Sequence, residues 1–134
     1  VLQLEPDPTF TWPVTFNTPK GAKTITLVFK HKTVDEHNAW WEAAVKRSVA
    51  HRDALIAHAA AIEKLGPDDV VPPAPKPEMT ALDEIMDVVA GWEDVDAPFS
   101  RESMTKLLAN YHDLSAKKVC EAWSAGLNGR RLEN

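Results

Sequence analysis

Cysteine is nearly absent from this sequence: Cys120 stands alone among 134 residues. A single cysteine excludes an intramolecular disulfide and any multi-cysteine zinc site, which suits a reducing compartment. Glycine is almost as scarce, with five residues, most of them at expected helix ends. Little material is left for a cofactor cradle, and neither a phosphate-binding glycine loop nor a Gly-x-Ser-x-Gly elbow is present. No run of about eighteen apolar residues exists to span a bilayer, and Val1 to Phe10 lacks the charged-then-apolar layout of a signal peptide. The chain opens on Val rather than Met, which leaves room for a short segment ahead of it, and a cytoplasmic location is expected. Clustered basic residues are missing too. The formal charge is −5, and Lys117-Lys118 and Arg130-Arg131 are isolated pairs. The cationic footprint on which nucleic-acid and anionic-membrane affinity rests is therefore lacking.

What is present reads as an α+β chain of mostly helical character, expected to form one domain. Phe10, Trp12, Val14 and Phe16 alternate with polar or proline positions, and Ile25, Leu27 and Phe29 alternate with Thr24, Thr26 and Lys30. With the Asn17-to-Ala22 break between them, these runs predict an N-terminal β-hairpin over 10–31. Pro13 cannot donate to a ladder, so the first strand belongs at an edge. Thr33 and Glu36 form a capping box, and the stretch from Asp35 to Leu65 has no proline or glycine, so a long helix is expected over 34–65, whole or broken midway. Its apolar stripe is thin. Val34, Trp41, Leu55 and Ile62 fall on one heptad line with Val45 and Ala59 beside it, while Ser48 and Arg52 interrupt. Such a helix suits a projecting arm or partner-binding surface better than a core.

Gly66 closes that helix, and five prolines between Pro67 and Pro77 predict an extended, stiff spacer over 66–78. Residues 79–134 then read as a three-helix body. Thr80 caps a helix whose Leu82, Ile85, Met86 and Val89 share a face and which ends at Gly91. Ser100 caps the next, with Phe99 stapled to Met104, and Leu107, Leu108 and Tyr111 complete its apolar face. Asp113 caps the last, with Ala116, Val119, Cys120, Trp123 and Leu127 on one stripe. Gly126 and Gly129 let it fray into a polar tail, Arg130 to Asn134.

Candidate chemistry is sparse. His37, His51 and His58 are spaced by fourteen and seven residues, so the nearest pair is about two turns, or roughly 10 Å, apart on a helix. A shared metal needs closer neighbours, at i+3 or i+4, so these histidines read as solvated helix positions that make partner binding pH-sensitive at most. Glu93, Asp94 and Asp96 lie in a turn with no catalytic partner and read as a solvated acidic loop or a contact for a basic segment. Cys120 on an apolar stripe reads as buried and inert. No catalytic residue, metal or cofactor is expected. Of the five tryptophans, Trp92 and Trp123 read as core anchors. Trp40 and Trp41 are adjacent and point in different directions, so at least one is available to another chain. Tryptophan is enriched in binding hot spots, which makes Trp40, Trp41, Leu55 and Ile62 the expected protein-binding residues. They serve equally for pairing with a second copy of the chain.

Gly91-Trp92-Glu93, the acidic stretch through Asp96, Pro98-Phe99-Ser100 and the helix bearing Leu107-Leu108 together resemble the tail assembly chaperones of long-tailed bacteriophages and prophages. The Trp12-Pro13-Val14 strand and a second strand ending in Phe29-Lys30 are similar to their opening hairpin. The resemblance covers the hairpin and residues 80–134, and residues 34–78 look like an insertion. It implies a non-enzymatic cytoplasmic factor whose partners are the tape measure protein, which it keeps soluble, and the tail tube protein, which it helps recruit. It also implies that a frameshifted longer form accompanies many relatives. Two other classes compete: a structural phage component such as a head–tail connector or tail-completion protein, and a small enzyme or regulator with an unrecognised cleft.

Overall fold

Residues Thr9–Thr18 (β1) and Gly21–Lys30 (β2) pair antiparallel along their whole length, from Thr9 opposite Lys30 to Thr18 opposite Gly21. The register sets Phe10 against Phe29, Trp12 against Leu27 and Val14 against Ile25, so the period-two pattern places all six on one face. Phe10 and Phe29 stack with ring centroids 5.7 Å apart. The turn is tighter than the six-residue break suggested. The Thr18 hydroxyl donates to the Gly21 carbonyl at 2.6 Å and accepts from the Lys20 N–H at 3.2 Å. Gly21 has φ +106°, a conformation that residues with a Cβ avoid. The structure, a computed structural model, describes residues 1–130; Arg131 to Asn134 of the expected polar tail lie outside the described residues.

β1 is an edge strand of a three-stranded sheet in the order β1-β2-β3, which is where Pro13 can be tolerated. The third strand was not anticipated. Helix α2 spans Ala81–Val88 and runs straight into β3, Val89–Glu93. Val89 therefore lies in a strand instead of on the helix face, and Gly91 sits inside that strand instead of ending the helix. β3 covers the second edge of β2, with Leu27 opposite Trp92, Val28 opposite Gly91 and an irregularity between Val28 and Phe29. Ladder bonds to β2 outweigh one more helical turn there, and burial of both Val88 and Val89 anchors the switch.

Helix α3, Arg101–Asn110, opens with the expected cap. The Ser100 side chain accepts from the Ser103 N–H, and Ser103 reciprocates to the Ser100 N–H, a capping box closed by serine. Phe99 meets the Trp92 ring edge-on, with centroids 5.2 Å apart, while Met104 is fully buried. Helix α4, Ala116–Leu127, is capped by Ser115, whose side chain accepts from the Lys118 N–H. Asp113 has other partners: its carboxylate accepts from the Asn17 N–H and from Lys118 Nζ, each at 2.7 Å. It ties the α3–α4 loop to the hairpin instead of capping a helix.

Sheet and short helices enclose one core, whose fully buried members include Leu27, Phe29, Ile85, Val88, Met104, Val119 and Trp123. Each such side chain contributes roughly 1.5–3 kcal/mol by leaving water. Trp123 is the largest, and its indole N–H donates to the Lys30 carbonyl at 2.9 Å, so its polar atom is satisfied as well. Gly126 lies within α4 rather than loosening its end, at a close approach to Phe10 and Trp12.

This body, built from Val1–Thr33 and the chain from Ala81 onward, is one of two compact units; the other is Val34–Thr80. Within the second unit, α1 runs unbroken over Val34–Glu63, 30 residues, or about 45 Å at 1.5 Å per residue. Residues 70–77 adopt neither helix nor strand. The Gly66 N–H donates to Asp69 Oδ2 at 2.7 Å just after the helix, and His58 Nε2 lies 2.9 Å from the Pro72 carbonyl oxygen. The chain has thus doubled back against the last turns of α1.

Candidate protein-binding surface

No residue of α1 is buried, yet its exposure is not uniform. His37, Trp40, Ala44, Arg47, His51, Ala54 and His58 are half-buried. Their spacing of three and four residues traces a single side of the helix. That half-covered side carries three histidines and an arginine together with Trp40, Ala44 and Ala54. The aliphatic side faces outward: Val34 is 76 % exposed, Val45 58 % and Ile56 61 %, with Val49 on the same line at 40 %. A helix whose aliphatic side chains stay in water while its histidine side is covered has an apolar surface that no neighbour within its own unit has claimed.

The four residues singled out from the sequence fall off this line. Leu55 and Ile62 are 41 % and 37 % exposed; each stands eighteen residues, five full turns, from His37 and Ala44 respectively, and so on the histidine-bearing side. Trp40 and Trp41 are both half-buried. Their rings do not diverge as expected but meet edge to face, with centroids 5.0 Å apart and planes at 85°. The Trp41 indole N–H donates to His37 Nε2 at 3.1 Å. The Trp pair with His37 thus forms a local cluster near the start of α1.

Val49 and Ile56 escaped the sequence reading, and the reason is geometric. A residue repeated every seven positions drifts about 20° around a straight α-helix per repeat. Over the four heptads from Val34 to Ile62 the heptad line turns roughly 80°, so its two ends lie on different faces. Val45, Val49 and Ile56, spaced by four and seven, were the sequence signal that would have found the outward face.

In the α+β body, Cys120 and Asp113 hold structural positions. Cys120 is buried, and its thiol is pushed up to about 12, first by burial and then by the carboxylates of Glu84, Asp87 and Glu121. Asp113 is held below the ordinary aspartate value, first by the Asn17 backbone N–H and then by Lys118. Trp92 is only half-buried, unlike Trp123, and donates its indole N–H to the Ala97 carbonyl at 2.7 Å, bridging the acidic loop. Among the described residues, no three His, Cys, Asp or Glu side chains are grouped to hold a metal ion. Among the same residues, no helix is long and apolar enough to cross a membrane.

The fold is therefore an α+β body joined to a helical unit that carries one exposed aliphatic line through Val45, Val49 and Ile56. A family model for the phage tail assembly chaperone matches residues 1–134, the whole chain. The protein belongs to the phage tail assembly chaperone family. The match runs through residues 34–78, so the helix and the proline-rich stretch, which had looked like an insertion, lie inside the family's span. Nothing among the curated proteins or the solved structures matches the chain.

Proposed function

We propose that this chaperone binds the tape measure protein, keeps that long helical client soluble during tail assembly, and helps recruit the tail tube protein. The observation that carries this reading is α1: 30 residues with no buried side chain and an open aliphatic line through Val45, Val49 and Ile56. An apolar client helix laid on that line would remove both surfaces from water, at about 25 cal/mol per Å² of apolar area. Trp40, Trp41, Leu55 and Ile62, which lie toward the histidine side of α1, would add a second row of contacts to the same client. The formal charge of −5 favours a soluble complex.

In this reading α1 is an arm on a single functional domain, and residues 66–78 are a stiff spacer. An extended proline-rich stretch of that length covers about 40 Å at 3.1 Å per residue, close to the length of the helix. The protein acts in the host cytoplasm, by binding and not by catalysis. Co-expression with the tape measure protein tests it. Soluble tape measure protein recovered only in the presence of this chain, and less of it with Trp40→Ala or Trp41→Ala, is the expected result. Tape measure protein that stays insoluble, together with this chain retained in finished particles, would make it a structural component instead.

A further inference from the structure

Within the α+β body, a cavity of about 280 Å³ opens between the loop after β3 and helix α3, lined among others by Trp92, Val95 and Ala97 on one side and Leu107, Asn110 and Tyr111 on the other. Its walls are fixed in advance. The Trp92 indole is pinned to the Ala97 carbonyl at 2.7 Å, and the Ser103 hydroxyl donates to the Pro98 carbonyl at 2.8 Å. The Tyr111 ring rests edge-on against Phe16, with centroids 5.5 Å apart. Sites for drug-sized ligands occupy roughly 300–1,000 Å³, so this cavity suits one or two side chains better than a cofactor.

The surroundings specify which side chains. The lining is mainly indole, aliphatic and phenol surface. On the Trp92 side stand Glu93, the last residue of β3, and Asp94 and Asp96 of the loop, all exposed and none in an ion pair with another described residue. Asp96 itself lines the cavity. The lining lysine, Lys106, lies 3.8 Å from Glu102. A largely apolar recess beside three carboxylates that have no ion-pair partner among the described residues is complementary to an apolar side chain with a cation close behind it. We propose that this cavity is a second docking point, taking a leucine-type or aromatic anchor from a partner protein segment that carries Lys or Arg next to that anchor. The site shares no residue with the aliphatic line of α1 and does not depend on the client assigned to that line.

The test uses the whole chain, ¹⁵N-labelled and titrated with a short helical peptide of leucine, alanine and lysine, and in parallel with the same peptide carrying glutamate for lysine. The lysine peptide is expected to shift the Trp92 indole resonance and the Leu107 and Tyr111 amides in a saturable way, and the glutamate peptide is not. Asp94→Asn with Asp96→Asn should weaken binding about three- to tenfold, the range for removing two rim charges. Asn110→Trp, at an exposed helix end, should fill the mouth and abolish these shifts while the remaining spectrum is preserved. Three results would overturn the proposal: no saturable shift, equal response to both peptides, or shifts confined to residues 34–63.

Discussion

Gly126 of α4 lies directly beneath the ring of Phe10 in β1: a Cβ on Gly126 would stand 2.5 Å from Phe10 Cε2, and 3.1 Å from Trp12 Cγ. Phe10 cannot swing aside freely, because it stacks on the buried Phe29. The absence of a side chain at 126 thus sets how closely the last helix seats on the hairpin. Gly126→Ala gains up to about 1 kcal/mol of helix propensity but meets an overpacking cost of about 1–3 kcal/mol. A net loss in urea-denaturation stability is expected. Phe10→Leu in the same chain should recover part of it, because the two sites are coupled.

Asp113 makes a pH-dependent link between the α3–α4 loop and the hairpin. Its folded pKa lies below the ordinary 3.8 because the Asn17 N–H and Lys118 stabilise the carboxylate. An acid whose pKa is depressed by folding stabilises the fold fully above its unfolded value and loses that contribution as pH falls through the folded value. Wild type should therefore exceed Asp113→Asn in urea midpoint at pH 7, with the difference shrinking below about pH 4.

Cys120 is expected to be chemically silent in the native chain. Its thiol is raised from 9.0 to about 12, so native thiolate at pH 8 is scarcer than in the unfolded chain by roughly a thousandfold. Alkylation by iodoacetamide should be correspondingly slow until denaturant is added. The same shift has a stability consequence. Between the unfolded and folded values the unfolded chain releases a proton that the folded chain keeps, so stability falls as pH rises from about 9 towards 12. Cys120→Ala should remove that part of the alkaline decline.

Much of the body was legible because its signals are local. Strict alternation in Phe10–Phe16 and Ile25–Phe29 specifies the hairpin, and Ser100 ahead of an apolar period specifies α3. The errors arose where a distant partner decides between local options. Val89–Glu93 leaves a helix without a turn residue, and Gly91 resembles a helix stop; only the free edge of β2 makes the segment a strand. Ser115 and Asp113 are both acceptable caps, and Asn17, 96 residues away from Asp113, settles the choice. The cavity beside Trp92 exists because a loop and a helix close over a space, which no spacing encodes. On α1 the relevant side chains were visible but were read along a heptad line that drifts around the helix.

Val45→Glu with Ile56→Glu tests most directly the proposed role of the outward aliphatic line of α1 as the client surface. Both side chains are more than half exposed, so the double variant should keep the wild-type urea midpoint within about 0.5 kcal/mol per site, the usual range for surface changes. Soluble tape measure protein recovered on co-expression should fall to the level seen without the chaperone. A variant that folds normally and still solubilises the client as wild type does would contradict the assignment of that surface.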